Sequence, residues 1–248
     1  MPETELWVTA LFNSFLAGPT TAALRWLHVP PEDPAHPWTN FVAMEVLVAL
    51  IIILAFALLR PRLSMDRPGK GQHLSEIVYS FICGQSDGVI GRRGRPYVPF
   101  FGTIFLFILI SNLIGIVPSL ESPTMFPAVP LGCALATFCY YNFIGVKTQG
   151  VFRYLGHFCG PVWWLAELMF PIEIISNLAR LLSLTVRLFA NMFAGELVIL
   201  AFMSLFPLVL PVPFMGLHIF VGVLQAYVFA LLTMVYVGEA LPHESAHS

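Results

Sequence analysis

Charged side chains are scarce in this chain: only 10% of its 248 residues are Asp, Glu, Lys or Arg. Hydrophobic residues make up 58%, and the mean hydropathy is +0.81. Soluble domains carry about 25% charged residues, so an ordinary soluble domain is excluded. The net charge of -2, with no basic tract interleaved with aromatic residues, gives no indication of nucleic-acid binding. The composition instead predicts an all-α membrane protein that crosses the bilayer several times.

Motifs that would bind a metal or a nucleotide are also missing. The four cysteines form no CxxC pair and have no histidine at zinc-ligand spacing, which indicates neither a metal site nor a disulfide framework. No phosphate-binding loop of the form GxxxxGKS or GxxxxGKT occurs. We therefore expect no metal, no cofactor and no nucleotide chemistry here. Glu3 and Glu5 stand where a secretory leader would be basic, so no cleaved leader is expected.

Apolar runs long enough to cross a bilayer recur along the chain. They predict five spans, at about 41–60, 99–118, 128–146, 171–206 and 214–237. The fourth has no proline after Pro171 and would be about 52 Å long, against a bilayer core of about 30 Å. We expect this helix to tilt or to extend along an interface, packed on the fifth helix.

Two parts of the chain are distinguished by proline. Residues 28 to 38 are too rich in proline to form a continuous helix. We therefore predict that residues 1–40 form an outer N-terminal segment, part of it a short interfacial helix. Residues 41–248 are predicted to form a single membrane-embedded domain.

The basic residues indicate the topology, because most of them lie in one loop. Seven of the twelve lysines and arginines fall between the first two predicted spans: Arg60, Arg62, Arg67, Lys70, Arg92, Arg93 and Arg95. By the positive-inside rule this loop is cytoplasmic, and Lys147 and Arg153 return to the same side. The N-terminus is then outside and the C-terminus cytoplasmic. Apolar residues at helical spacing inside the loop allow either a helix on the membrane surface or an ordinary solvated helix.

Arg187 places a permanent positive charge near the middle of the fourth predicted span. Insertion scales make an arginine at a helix centre about 2.5 to 3.5 kcal/mol unfavourable, so something must compensate its charge. One possibility is an ion pair inside the same chain, with Glu173 or Glu167. An ionisable residue at this depth otherwise indicates a functional site.

Other polar residues follow Arg187 around the helix. Asn191 and Ser183 lie about 40° from Arg187 on a helical wheel, and Arg180 lies about 20° away. Glu196, nine residues further on, lies on the opposite face. One face of the fourth span therefore presents a cation and its opposite face a carboxylate.

The fifth span carries two polar residues, seven apart and on one face, that can be matched to the fourth by depth. If the two helices are antiparallel, Gln225 lies level with Arg187, and His218 lies level with Glu196. A histidine paired in depth with a carboxylate can relay protons, although a purely structural histidine is the alternative. Asn191 and Gln225 could equally form an interhelical hydrogen bond.

The residues described so far also carry a family resemblance. The stretches "SLTVRLFANMFAGEL" (183–197) and "LHIFVGVLQAYVFALLTMVYVGEA" (217–240) closely resemble the paired signature of the a subunit of F-type ATP synthases. Lesser similarities are "SNLIGIVP" in the second span and Glu173, fourteen residues before Arg187. The first forty residues carry no such similarity.

The resemblance implies a non-catalytic, proton-conducting stator subunit of the Fo sector in a bacterial plasma membrane. It implies two offset half-channels that load and unload protons on carboxylates of a rotating c-subunit ring. The b subunits of the peripheral stalk and the rest of the F1Fo complex would be further partners, besides the lipid bilayer. The resemblance implies a coupling role for Arg187 and a proton path through Glu196, His218, Gln225, Asn191 and Glu173, with Asn112, Ser183 and Arg180 as further candidates.

Two positions depart from the commonest family pattern. Ala190 stands where the family usually has glycine, and Gly115 stands where some members carry an acidic residue. Other functions fit less well. A secondary transporter is expected to show internal repeats and interrupted helices, and an intramembrane hydrolase would need a histidine at the depth of Ser183. A purely structural subunit would tolerate the loss of Arg187.

Overall fold

The computed structural model describes residues 6–26, 37–64, 69–117, 120–150, 166–205 and 211–241. Within these ranges the chain is helical and has no strand. The α-helices are α1 (Trp7–Trp26), α2 (Asn40–Leu59), α3 (Lys70–Val89), α4 (Val98–Ile114), α5 (Ala128–Gln149), α6 (Ala166–Leu205) and α7 (Pro211–Ala240). Short 3-10 helices lie at Arg60–Arg62, Arg92–Tyr97 and Pro123–Met125.

The prediction of five membrane-spanning helices is confirmed. Five helical stretches of the described residues are long and apolar enough to cross a bilayer: Asn40–Leu59, Arg92–Ile114, Ala128–Gln149, Met169–Ser204 and Pro211–Ala240. The second helix ends at Ile114 rather than at 118. The fourth helix begins at Ala166 rather than at 171. It continues through Pro171, since a membrane helix can tolerate a proline. α6 is therefore 40 residues long, which corresponds to about 60 Å.

The centre of the protein is the contact of α7 with α4, α5 and α6. Its interior includes Phe101 and Ile108 of α4, Leu188 of α6 and Phe229 of α7, none of which is exposed. Helices in a bilayer associate through close packing and not through hydrophobic exclusion. Gly222 of α7 illustrates this, because a methyl group there would lie 3.3 Å from Cβ of Asn112.

The N-terminal helix α1 packs on α2. Val8 lies in one cluster with Met44 and Val48. Asn13 accepts a hydrogen bond from Trp38 N–H (3.1 Å) and donates to the Trp38 carbonyl (3.4 Å), which ties α1 to the residues just before α2. The N-terminal segment thus contains a 20-residue helix, longer than the short helix predicted.

α3 lies in the basic loop and packs on the membrane helices. Phe81 contacts Phe105 of α4 and Tyr227 of α7, with ring centroids 6.2 and 5.8 Å apart, and Tyr227 donates to Gln85 (3.0 Å). α3 also exposes large apolar side chains, such as Leu74, which is 64% exposed. This combination favours a helix on the membrane surface over an ordinary solvated one.

A bidentate ion pair joins the end of α3 to the turn before α4. Arg95 Nη2 donates to Asp87 Oδ2 at 2.9 Å, and Nε donates to Oδ1 at 3.2 Å. The hydrogen bonds from Arg95 hold the pKa of the Asp87 carboxyl below its ordinary value. This ion pair neutralises one of the seven basic side chains of the loop.

Candidate functional site

Arg187 lies midway along α6 and is exposed on the surface of the chain. Its guanidinium makes one long contact, 3.5 Å from Nη2 to the hydroxyl of Ser183, which is also exposed. No carboxylate of the described residues forms an ion pair with it. Glu173, one of the two partners proposed above, instead contacts Asn177, and the side chain of the other, Glu167, lies outside the described residues. The cation is therefore not neutralised within the described part of the chain.

Arg180, two turns earlier on the same face, has partners within the chain. Its guanidinium donates to the carboxylate of Glu239 near the end of α7. Its central carbon lies 5.1 Å from the centroid of the Tyr236 ring, a cation–π contact. Neither Glu239 nor Tyr236 was predicted from the sequence. Their spacing of three residues near the end of α7 is the signal that could have pointed to them, since such residues share a helix face.

Asn191 and Gln225 join α6 to α7. The Asn191 side-chain amide donates to Gln225 Oε1 at 3.0 Å, and Gln225 is only 3% exposed. The predicted register between these helices is thus confirmed to within one turn, because Gln225 lies opposite Asn191 rather than Arg187. This hydrogen bond is the interhelical contact that was the alternative role for Asn191 and Gln225. It lies one helical turn from Arg187, the predicted coupling residue.

His218 lies against α6 at the depth predicted for it. The ring is 6% exposed, and its Nε2 atom is buried without a hydrogen-bond partner among the described residues. A methyl group on Gly195 would overlap this ring. Glu196, half-buried, is the next residue along α6. Gly195 was not predicted from the sequence as a site residue, and its lack of a side chain makes the space for His218.

Glu173 belongs to a polar cluster near the other end of α6. Tyr141 of α5 donates its hydroxyl to Asn177 Oδ1 at 2.6 Å. Asn177 in turn donates to the backbone carbonyl of Glu173 at 2.9 Å and to its carboxylate at 3.4 Å. Tyr141 and Asn177 were not identified from the sequence. Asn177 follows Glu173 by one helical turn, which is the available signal for that contact.

The two polar clusters lie on opposite sides of Arg187 along α6. Glu173 precedes the arginine by 14 residues, or about 21 Å, and Glu196 follows it by nine, or about 13 Å. A carboxylate thus lies toward each end of the helix, with the unneutralised cation between them.

Asn112 is held in a buried hydrogen-bond network. Its amide donates to the Gly222 carbonyl at 2.9 Å, and its Oδ1 accepts from Thr124 at 2.7 Å. Ser122 donates its hydroxyl to the Ser111 carbonyl (2.8 Å), and its Oγ lies 2.8 Å from Oγ1 of Thr124. These contacts favour a structural role for Asn112, since both of its polar atoms are used within the fold.

The two departures from the family pattern have different surroundings. A Cβ atom on Gly115 would lie 2.9 Å from Cβ and 3.1 Å from N of Ser122, so the turn after α4 leaves no room for an acidic side chain. Ala190 is exposed on α6, as is the neighbouring Asn191. Among the described residues, no group of histidine, cysteine, aspartate or glutamate side chains could hold a metal ion.

Five apolar helices and an unneutralised cation flanked by polar clusters define a polytopic membrane subunit built for ion transport. The family model described as ATP synthase A chain matches residues 42–238. The chain is 56% identical to ATP synthase subunit a of Solibacter usitatus, over 94% of this chain and 100% of that protein. It is 51% identical to ATP synthase subunit a of Koribacter versatilis, over 96% and 98%. The chain belongs to the ATP synthase A chain family.

Proposed function

We propose that this chain is the non-catalytic, proton-conducting stator subunit of the Fo sector. In this role it forms two offset half-channels that load and unload protons on carboxylates of a c-subunit ring. The observation that carries the proposal is the contrast between two arginines of one helix face. Arg180 is neutralised by Glu239, whereas Arg187 is exposed and has no carboxylate partner among the described residues. The missing counter-charge is supplied by the ring.

The electrostatics of such a pairing are sufficient to compensate the cost of Arg187. Opposite unit charges about 4 Å apart attract by about 4 kcal/mol at an effective dielectric constant of about 20. This exceeds the insertion cost of about 2.5 to 3.5 kcal/mol for an arginine at mid-membrane. A fixed cation also stabilises an ionised ring carboxylate and blocks direct passage of a proton between the half-channels.

The outer half-channel runs through Glu196, His218, Asn191 and Gln225. Its support is the close contact of His218 with Gly195, beside Glu196, and the buried Nε2 atom that has no partner in the described chain. A buried nitrogen of this kind is costly unless water or a passing proton satisfies it.

The inner half-channel ends near Glu173, within reach of Asn177 and Tyr141. Glu173 and Glu196 are 23 residues apart on α6, which separates the two half-channels by about 34 Å along the helix. The moving carboxylates of the ring carry the proton between the two half-channels.

The orientation follows from the basic loop between α2 and α4. The positive-inside rule puts this loop in the cytoplasm, with the N-terminus outside, the C-terminus cytoplasmic and the chain in a bacterial plasma membrane. The apolar part of α6, 36 residues, measures about 54 Å. A helix of this length exceeds what a common tilt accommodates, so α6 both tilts and extends along an interface. The b subunits of the peripheral stalk hold the chain against rotation.

The test is proton-driven ATP synthesis and passive proton leak in inverted membrane vesicles that carry Arg187→Ala. Assembly of the complex is confirmed first, and Arg180→Ala is the matched control on the same face. We expect Arg187→Ala to abolish synthesis with an unchanged or increased leak, and Arg180→Ala to retain most of it. Normal synthesis by an assembled Arg187→Ala complex would reduce the chain to a membrane scaffold.

A further inference from the structure

An apolar groove lies between α2, α3 and α4, away from the proposed proton path. Its wall includes Ile52 and Phe56 of α2, Leu74 and Val78 of α3, and Gly102 and Leu106 of α4. Three residues with hydroxyl groups border it, Ser75, Tyr79 and Thr103, and the hydroxyls of Ser75 and Thr103 already donate to backbone carbonyls of their own helices. The groove thus offers an incoming molecule an apolar wall.

The groove is long and open along one side. It has a volume of about 520 Å³ and runs along α4 from Val98 to Ile110, a distance of about 18 Å. A single hydrocarbon chain can lie along an apolar groove of this length.

Two basic residues stand at one end of the groove. Leu59 of α2 and Gly71 of α3 line it and touch, because a Cβ atom on Gly71 would lie 2.8 Å from Cδ2 of Leu59. Arg60 follows Leu59 and Lys70 precedes Gly71, so both basic residues stand beside the mouth of the groove. Both are exposed, and neither forms an ion pair with another described residue.

The carboxylate of Glu76, on the same helix as Lys70, does not form an ion pair with either cation. Glu76 accepts a hydrogen bond from Gln72 at 2.8 Å and lies on the opposite side of α3 from Leu74, about 200° around the helix. Gln72 also exchanges hydrogen bonds with both backbone groups of Ser64 (3.0 and 3.2 Å), which joins the start of α3 to the residues just after α2. The described residues beside the mouth therefore carry a net positive charge.

We propose that this groove binds one acyl chain of an anionic glycerophospholipid, whose phosphate lies between Arg60 and Lys70. The apolar wall alone would not distinguish one lipid from another, because lipid tails and apolar side chains are equally apolar. Selectivity for an anionic headgroup comes from the two cations, each of which favours it by about fivefold. The proposal requires membrane insertion and does not depend on the proton path.

The test uses the assembled complex in phosphatidylcholine vesicles that contain a small share of phosphatidylglycerol with a photoreactive group midway along one acyl chain. Photoreactive phosphatidylcholine serves as the neutral comparison. We expect labelling of peptides that contain residues 71–79 and 98–110, with phosphatidylglycerol preferred. Arg60→Gln and Lys70→Gln should each lower this preference about fivefold, and Arg92→Gln, at the far end of α3, should leave it unchanged.

A second pair of variants tests the groove itself. Gly102→Leu projects a side chain into the groove, and its Cβ atom meets nothing within 4 Å. Gly132→Leu on α5 is the matched control, since its Cβ also meets open space outside the groove. We expect Gly102→Leu to abolish the labelling and Gly132→Leu to preserve it. Equal labelling of these two variants, equal labelling by the two lipids, or occupation of the groove by a partner subunit would each overturn the proposal.

Discussion

Replacement of Gly195 by alanine tests the assignment of His218 to the proton path with a single methyl group. The new carbon would lie 2.9 Å from Cε1 of the His218 ring and closer still to Nδ1. Ordinary contacts between such atoms begin near 3.4 Å, so the ring must move by about 0.5 to 1 Å. The substitution changes no titratable group, which separates an effect of position from an effect of charge.

The expected cost to folding is small, because two terms oppose each other. Alanine is better than glycine in a helix by about 1 kcal/mol, while a ring forced about 30° from its rotamer costs about 0.5 to 1.5 kcal/mol. Transport is more sensitive, since a misplacement of about 1 Å at a reacting group can lower a rate about 100-fold. We therefore expect normal assembly with proton-driven ATP synthesis reduced at least about tenfold.

The assay is the initial rate of ATP synthesis in vesicles energised by an imposed proton gradient, normalised to the amount of assembled complex. Gly216→Ala is the matched control, because a Cβ atom at that position of α7 meets nothing within 4 Å. Synthesis at the normal rate by the Gly195→Ala complex, with the His218 ring shown to be displaced, would refute the placement of this ring in the path.

Two further predictions concern groups outside that contact. Tyr141→Phe removes the hydroxyl that Asn177 accepts from, so we expect a several-fold slower proton release measured as passive flux through the complex, whereas an unchanged flux would remove this cluster from the path. Arg95 lowers the pKa of Asp87, so their ion pair stabilises the turn before α4 at any pH above the ordinary aspartate pKa. This stabilisation is lost as the pH falls through the lowered pKa. In Arg95→Gln, an NMR titration should show that the Asp87 pKa rises toward its ordinary value.

Helix periodicity predicted much of the candidate site. Arg187 and Asn191 lie one turn apart on any helix, so their common face could be read from spacing alone. The depth match of His218 with Glu196 also followed, because the rise per residue is constant once two helices are taken as antiparallel. Gln225 contacts Asn191, one helical turn from Arg187, the residue predicted to lie level with it. The exact translation of one helix along another depends on how their side chains pack.

Contacts between distant segments could not be predicted in this way. Glu239 reaches Arg180 across 59 positions of sequence, and Tyr141 reaches Asn177 across 36. Each depends on the rotation of one helix relative to another, which packing decides. The role of Gly195 could not be predicted from the sequence, because the His218 ring that fills the space beside it belongs to another helix.

The sequence by itself determined that the chain is a membrane protein with five apolar spans, because hydropathy and helical period are local properties. It also determined that a permanent cation lies within the fourth span. Only the tertiary structure decided which charges are neutralised, since Arg180 meets a carboxylate of α7 and Arg187 meets none in the described chain. That difference arises from the position of Glu239 along α6, beside Arg180 and not beside Arg187, which depends on how the two helices pack; it leaves Arg187 exposed for a partner.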